Sequence, residues 1–129
     1  MKSIPTAILA FFCLATTAAA EVDGVWKTAP GNDGSFVLVR IGPCPEAPAE
    51  RCGTVVGAPH ARTGDVIGSR ILSGLTRRDP LRWTGGRIQR PGSARVYRSN
   101  LTVDGDVLEV EGCVAGGILC GSQDWTRVQ

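Results

Sequence analysis

The sequence predicts an all-β domain of about eight short antiparallel strands closed into an up-and-down barrel. Three observations point there. Turn signals recur every 10–15 residues or so, and no stretch carries a helical period. The 17 glycines and 8 prolines favour many turns over long helices. Finally, Gly24-Val25-Trp26 near the start is matched by Trp125-Thr126-Arg127 near the end. Strand count alone leaves a sandwich open. Matching aromatic anchors on the first and last strands favour a barrel, whose ends must meet and seal.

Val22 to Thr28 reads as the first strand, and Pro30-Gly31-Asn32-Asp33-Gly34 as a turn. Ser35 to Ile41 is a near-continuous apolar strand, Gly42 to Arg51 a Pro-rich loop, and Cys52 to Val56 the third strand. Val66 to Leu75 reads as a strand interrupted by Gly68, with a turn over Thr76 to Pro80. Leu81 to Gln89 carries Trp83 and a Gly85-Gly86 pair, the mark of a bulge or a sharp bend. Arg95 to Val103 and Val107 to Val114 are the clearest strands, and Ser122 to Val128 is the last, after a Gly116-Gly117 turn. A type I′ turn at Asp104-Gly105 would set Leu101 opposite Leu108 and Arg98 opposite Glu111. Period-two alternation then puts Tyr97, Ser99, Leu101, Leu108, Val110 and Gly112 on the core face.

Residues 1–20 read as a secretory leader: Lys2, an apolar Ile4 to Leu14, and Ala18-Ala19-Ala20 before the cut. Cys13 follows Phe11-Phe12 rather than small residues, so it reads as part of the apolar stretch and not as a lipid anchor. Cleavage after Ala20 leaves one domain over 21–129, periplasmic or secreted, with no transmembrane segment after processing. Four cysteines then remain. An even count behind a leader implies disulfides. Of three pairings, Cys44–Cys52 and Cys113–Cys120 each clip a turn-rich segment. A four-cysteine zinc site needs clustered spacing that neither pair has.

The whole chain has a formal charge of +2, unevenly spread. From His60 to Asn100 there are nine arginines against Asp65 and Asp79; from Leu101 onward, five acids stand against Arg127. Pairing of neighbouring basic and acidic strands explains this better than an anion-binding face. Nucleic-acid binding would need the arginines with Trp83 and Tyr97 interleaved, and export argues against it. Anionic lipid headgroups suit the compartment better.

Catalytic motifs are missing. His60 is the sole imidazole and no Gly-x-Ser-x-Gly elbow accompanies it, so a solvated loop histidine is the simpler reading. No His, Cys and carboxylate cluster has ligand spacing, which leaves the metal and cofactor expectation at none. Asp104 and Asp106 are explained by turn chemistry. Glu109 and Glu111 share a strand face without further support for a two-carboxylate hydrolase.

Gly24-x-Trp26, Cys52-Gly53, Ile71-Leu72-Ser73-Gly74-Leu75, Trp83-Thr84-Gly85-Gly86-Arg87-Ile88, Pro91 with Tyr97, Leu108 to Cys113 and Trp125-Thr126-Arg127 occur in that order. With them the chain resembles the bacterial exported family catalogued as domain of unknown function 2147. The resemblance implies a small lipocalin-like barrel with no established activity. It also implies structural roles for Gly24, Trp26, Trp125 and Arg127, with Arg127 packed over the Trp26 ring at the closed end. Gln89 and Arg90 replace a tyrosine and a small polar residue usual there. The functional expectation is a non-catalytic binder of a small apolar or amphipathic, lipid-like ligand, with Trp83, Arg87 and Tyr97 as wall residues. The alternative is a filled barrel acting as a structural or protein-interaction component of the cell envelope.

Overall fold

The computed structural model describes residues 3–10, 21–60, 66–114 and 119–129. Lys2, Cys13, Ala18 to Ala20 and Gly116-Gly117 lie outside the described residues, as does the leader's cut. Residues 3–10 are exposed and outside any strand. Eight strands form one closed antiparallel barrel in sequence order. They are β1 (Gly24–Lys27), β2 (Leu38–Cys44), β3 (Ala47–Gly57), β4 (Arg70–Asp79), β5 (Arg82–Gln89), β6 (Val96–Asp104), β7 (Val107–Val114) and β8 (Leu119–Arg127). Among the described residues, every buried side chain of the core falls between Val22 and Trp125.

Alternation drives the core. Along β6 and β7 the inward positions Ser99, Leu101, Val103, Leu108 and Val110 are buried, while Arg98, Asp104 and Glu109 stay exposed. The expected core face is right, but the register differs by two. The turn is Gly105-Asp106, so Asp104 pairs with Val107 and Leu101 with Val110. Arg98 therefore faces Cys113, and Asn100 faces Glu111, donating to it from Nδ2 at 2.8 Å. Two further corrections concern hairpin tips. The Pro-rich stretch extends strands to Cys44 and from Ala47, leaving a two-residue turn at Pro45-Glu46. Likewise β4 runs through Asp79 rather than turning at Thr76.

Both disulfides clip hairpins: Cys44–Cys52 joins β2 to β3, and Cys113–Cys120 joins directly opposed residues of β7 and β8. Loops this short each contribute ~2.5 kcal/mol in the chain-entropy model.

Closure is narrow. β1 and β8 pair only at Trp26↔Arg127 and Lys27↔Thr126, where other neighbours pair along most of their length. Side chains reinforce the seam. The Arg127 guanidinium lies 4.2 Å from the Trp26 ring centroid and donates to the carbonyl of Asp23 at 3.0 Å and to that of Glu21. Trp26 donates its indole N–H to Val22 at 2.9 Å. The Asp23 carboxylate takes Arg51 at 2.7 Å, and Arg51 in turn covers the Trp83 ring at 4.8 Å. A cation over a partly desolvated ring is worth ~0.5–2 kcal/mol. Gly24 permits this crowding. Its φ is +141°, and a Cβ there would sit 2.4 Å from the Gln129 carbonyl oxygen and 2.9 Å from Arg127 Nη1.

Three substitutions test this packing by unfolding. Gly24→Ala is expected to lose ~2 kcal/mol or more in urea unfolding, through backbone strain and displacement of Arg127. Gly121→Ala, with nothing within 4 Å of its Cβ, is expected to be neutral or slightly stabilising. Ser99 is the buried polar side chain among the described residues, and its Oγ has no hydrogen-bond partner there. Ser99→Ala should therefore hold or raise the unfolding midpoint, by up to ~1 kcal/mol. A clear loss would mean the hydroxyl is satisfied.

Candidate functional site

The barrel is filled at one end and hollow at the other. Trp26, Val39, Leu72, Leu75, Leu101 and Leu108 are all fully buried and pack the half nearest the Trp26–Arg127 seam. Above them small residues meet on four neighbouring strands: Gly86 pairs with Ser99, Ser99 with Gly112, and Gly112 with Gly121. Leu75 occupies the space at Gly86, approaching an added Cβ to 2.5 Å. At Gly112 an added Cβ would meet nothing closer than Ile88 Cγ2 at 3.7 Å. On the β6–β8 side the missing side chains thus leave room.

That room is a cavity of ≈ 1010 Å3, open at the end where β2, β4, β6 and β8 begin. Val37, Val66, Ile71, Ile88 and Val110 contribute its apolar lining, and Trp125 forms part of its floor. Polar side chains line it too: Gln89, Tyr97, Ser122 and Gln123, together with Thr28, Asn32, Ser35, His60 and Arg90. Trp125 donates its indole N–H to Gln123 Oε1 at 2.9 Å, which satisfies the one polar atom of the floor. β8 records the cavity directly. Leu119 through Asp124 are all exposed, because the inward members Gly121 and Gln123 face hollow space rather than core.

One side of the mouth is built by the turn after β1. Asp33 Oδ1 accepts from the Ser35 hydroxyl at 2.6 Å and from its backbone N–H at 3.0 Å. These bonds, the hydroxyl's first, hold the Asp33 carboxyl below its ordinary value. Next to it, Phe36 meets His60 edge-on at 4.9 Å between centroids, and Lys27 Nζ lies 4.3 Å from the Phe36 ring. His60 is exposed at the rim. Among the described residues no serine or carboxylate is hydrogen-bonded to its imidazole. Among the described residues, three ligand atoms converge in two groups, Cys44, Glu46, Cys52 and Glu111, Cys113, Cys120. Each contains a disulfide, so its sulfurs are not available as thiolate ligands.

Of the three expected wall residues, the structure brings only Tyr97 to the cavity. Trp83 is 4% exposed, packed into the filled half beneath Arg51. Arg87 is exposed on the outer face. The cause is a bulge. The β5–β6 register shifts between Trp83 and Gly86, with Gly85 at φ +73°, so the inward phase passes from Trp83 to Gly86 and Ile88. Plain alternation would have put Trp83 and Arg87 on one wall. Gly112, Gly121, Gln123 and the floor role of Trp125 were not anticipated. The available signal was a glycine at an inward position of β7, in phase with Val110.

Comparison with solved structures places the fold. Protein HP1028 from the human pathogen Helicobacter pylori, described as belonging to the lipocalin family, is similar with a TM-score of 0.68. It shares 12% sequence identity, and the match covers 84% of each chain. At that identity the likeness speaks for the barrel alone. No curated protein matches the sequence. The model of a family described as uncharacterized proteins conserved in bacteria (DUF2147) matches residues 24–127. The match spans nearly the whole barrel, and the chain belongs to that family.

Proposed function

We propose that the protein is a non-catalytic binder of a small apolar or amphipathic, lipid-like ligand, held in the open half of the barrel. The observation that carries this reading is the ≈ 1010 Å3 cavity, with a more apolar than polar lining and a tryptophan floor. Ligand sites are typically concave, mostly apolar, and supplied with a few polar groups that set orientation. Gln89, Tyr97 and Gln123 are such groups. The lipocalin-like fold supports the same reading, since barrels of this size hold either side chains or one small ligand. A ligand burying ~300 Å2 of apolar surface gains ~7 kcal/mol before association costs, so burial alone limits the affinity to about 10 μM or weaker, and tighter binding would need the polar groups.

The setting we propose is periplasmic or secreted, after removal of residues 1–20. Two disulfides support an oxidising compartment. No helix among the described residues is long and apolar enough to cross a membrane.

The test uses residues 21–129 and the environment-sensitive probe N-phenyl-1-naphthylamine. The expected result is saturable fluorescence enhancement at one site. Gly112→Phe, whose ring enters the cavity without backbone conflict, should abolish it while the unfolding midpoint stays within about 3 °C. Undiminished probe binding in Gly112→Phe would exclude the cavity as the site. A protein that binds no probe and cross-links to one envelope protein would favour the structural alternative. Turnover that depends on His60 would contradict a non-catalytic role.

A further inference from the structure

The rim of the open end differs from the rest of the surface. On β5 and β6, Arg87 and Arg98 stand directly opposite each other, both exposed on the outer face. Like charges opposed across a ladder destabilise a bare sheet. A groove of ≈ 350 Å3 lies between them, lined also by Val96 and Tyr97, where Gly85 and Gly86 carry no side chain. One step nearer the mouth, Val96 is 52% exposed beside Arg98, and the paired Val114 and Leu119 are 41% and 65% exposed on the inner lip. Arg90 and Arg95, exposed at the ends of the connection between β5 and β6, add two cations at the same level.

Among the described residues these four arginines have no carboxylate partner, as is true of Arg40, Arg77 and Arg78, and they are grouped by their place at the mouth. Arg51, Arg70, Arg82 and Arg127 each pair with a carboxylate. Among the described residues, Arg87, Arg90, Arg95 and Arg98 form no ion pair. The acids of β6–β8 lie on the other side. Asp104, Glu109, Glu111 and Asp124 all sit nearer the filled end than the row containing Arg98. Across these three strands the charge therefore changes sign along the barrel axis, positive at the mouth.

We propose that this rim docks the barrel, mouth first, on an anionic lipid bilayer. The pattern fits a membrane interface: aliphatic side chains at the leading edge enter the boundary between headgroups and acyl chains. Arginines one row behind meet phosphates, and the groove between Arg87 and Arg98 seats one such group. Charge complementarity selects the occupant. A neutral protein partner would leave four desolvated guanidinium groups unpaired. Docking stands on the rim alone and goes beyond ligand binding. It holds whether or not the cavity is filled.

The experiment is co-sedimentation of residues 21–129 with vesicles of phosphatidylcholine, alone or mixed equally with phosphatidylglycerol. Binding is expected only to the anionic vesicles, and high salt should release it. At roughly fivefold per charge, Arg87→Gln/Arg98→Gln should weaken partitioning ~25-fold, and Arg90→Gln/Arg95→Gln similarly. Leu119→Ser should weaken binding without changing its salt dependence. Arg77→Gln/Arg78→Gln removes the same charge from the filled end. Strands of this length carry that end ~25 Å from the mouth, beyond the Debye length, so about full binding should remain. Equal partitioning to neutral vesicles, no partitioning at all, or equal losses in the filled-end variant would overturn the proposal. So would retention on heparin without vesicle binding, which would assign the rim to a soluble polyanion. Probe binding by the cavity, measured without vesicles, keeps this outcome separate from the ligand reading.

Discussion

The interaction on which the barrel depends is the stack of Arg127 over Trp26, anchored through Asp23. A barrel is only as closed as its last seam, and here β1 and β8 share two registered pairs. A few ladder hydrogen bonds, each with a net value of ~1 kcal/mol, are a thin seal for a whole sheet. Asp23 gathers the rest. Its carbonyl accepts from Arg127 and its carboxylate from Arg51, and the two arginines cover Trp26 and Trp83. Two cation–aromatic stacks from opposite sides of the filled end are thereby tied to one residue just outside β1. The crowding explains why position 24 is glycine.

Because the seam seals one end, the other is free to stay open. Leucines, valines and tryptophans fill the first half, and the row Gly86, Ser99, Gly112, Gly121 stops that packing on one side. Had Gly112 and Gly121 carried branched aliphatics, their side chains would stand in the cavity. Trp125 stands at the boundary. It belongs to the core cluster and also to the cavity floor, so the last strand serves both halves: Arg127 closes one and Trp125 limits the other.

Much of the fold was legible in the residues. Gly24-x-Trp26 and Trp125-x-Arg127 foretold closure, because matched anchors on terminal strands have little other use. Cysteine spacing foretold both disulfides, since a short separation around turn residues leaves few geometries. The inward face of β6 and β7 was readable from alternation, but its register was not. A two-residue slip keeps every side chain on its proper face, so hydrophobic pattern cannot distinguish turns at Asp104-Gly105 and Gly105-Asp106. A bulge is harder still. Gly85-Gly86 signalled one, yet only its position decides that Arg87 points outward while Ile88 points in. The cavity was invisible for a different reason: it consists of side chains that are absent, and a glycine in a strand reads equally as weakness, bend or room.

The barrel divides along its axis into a sealed, packed half and an open, hollow one, the half proposed to take ligand. Amide hydrogen exchange on residues 21–129, with and without N-phenyl-1-naphthylamine, tests this division most directly. The slowest amides should be those of Trp26, Val39, Leu72 and Leu101. Added probe should slow exchange around Ile88, Tyr97, Gly112 and Gln123 while leaving the sealed half unchanged. Uniform protection along every strand, or probe-induced protection confined to the Trp26–Arg127 end, would contradict it.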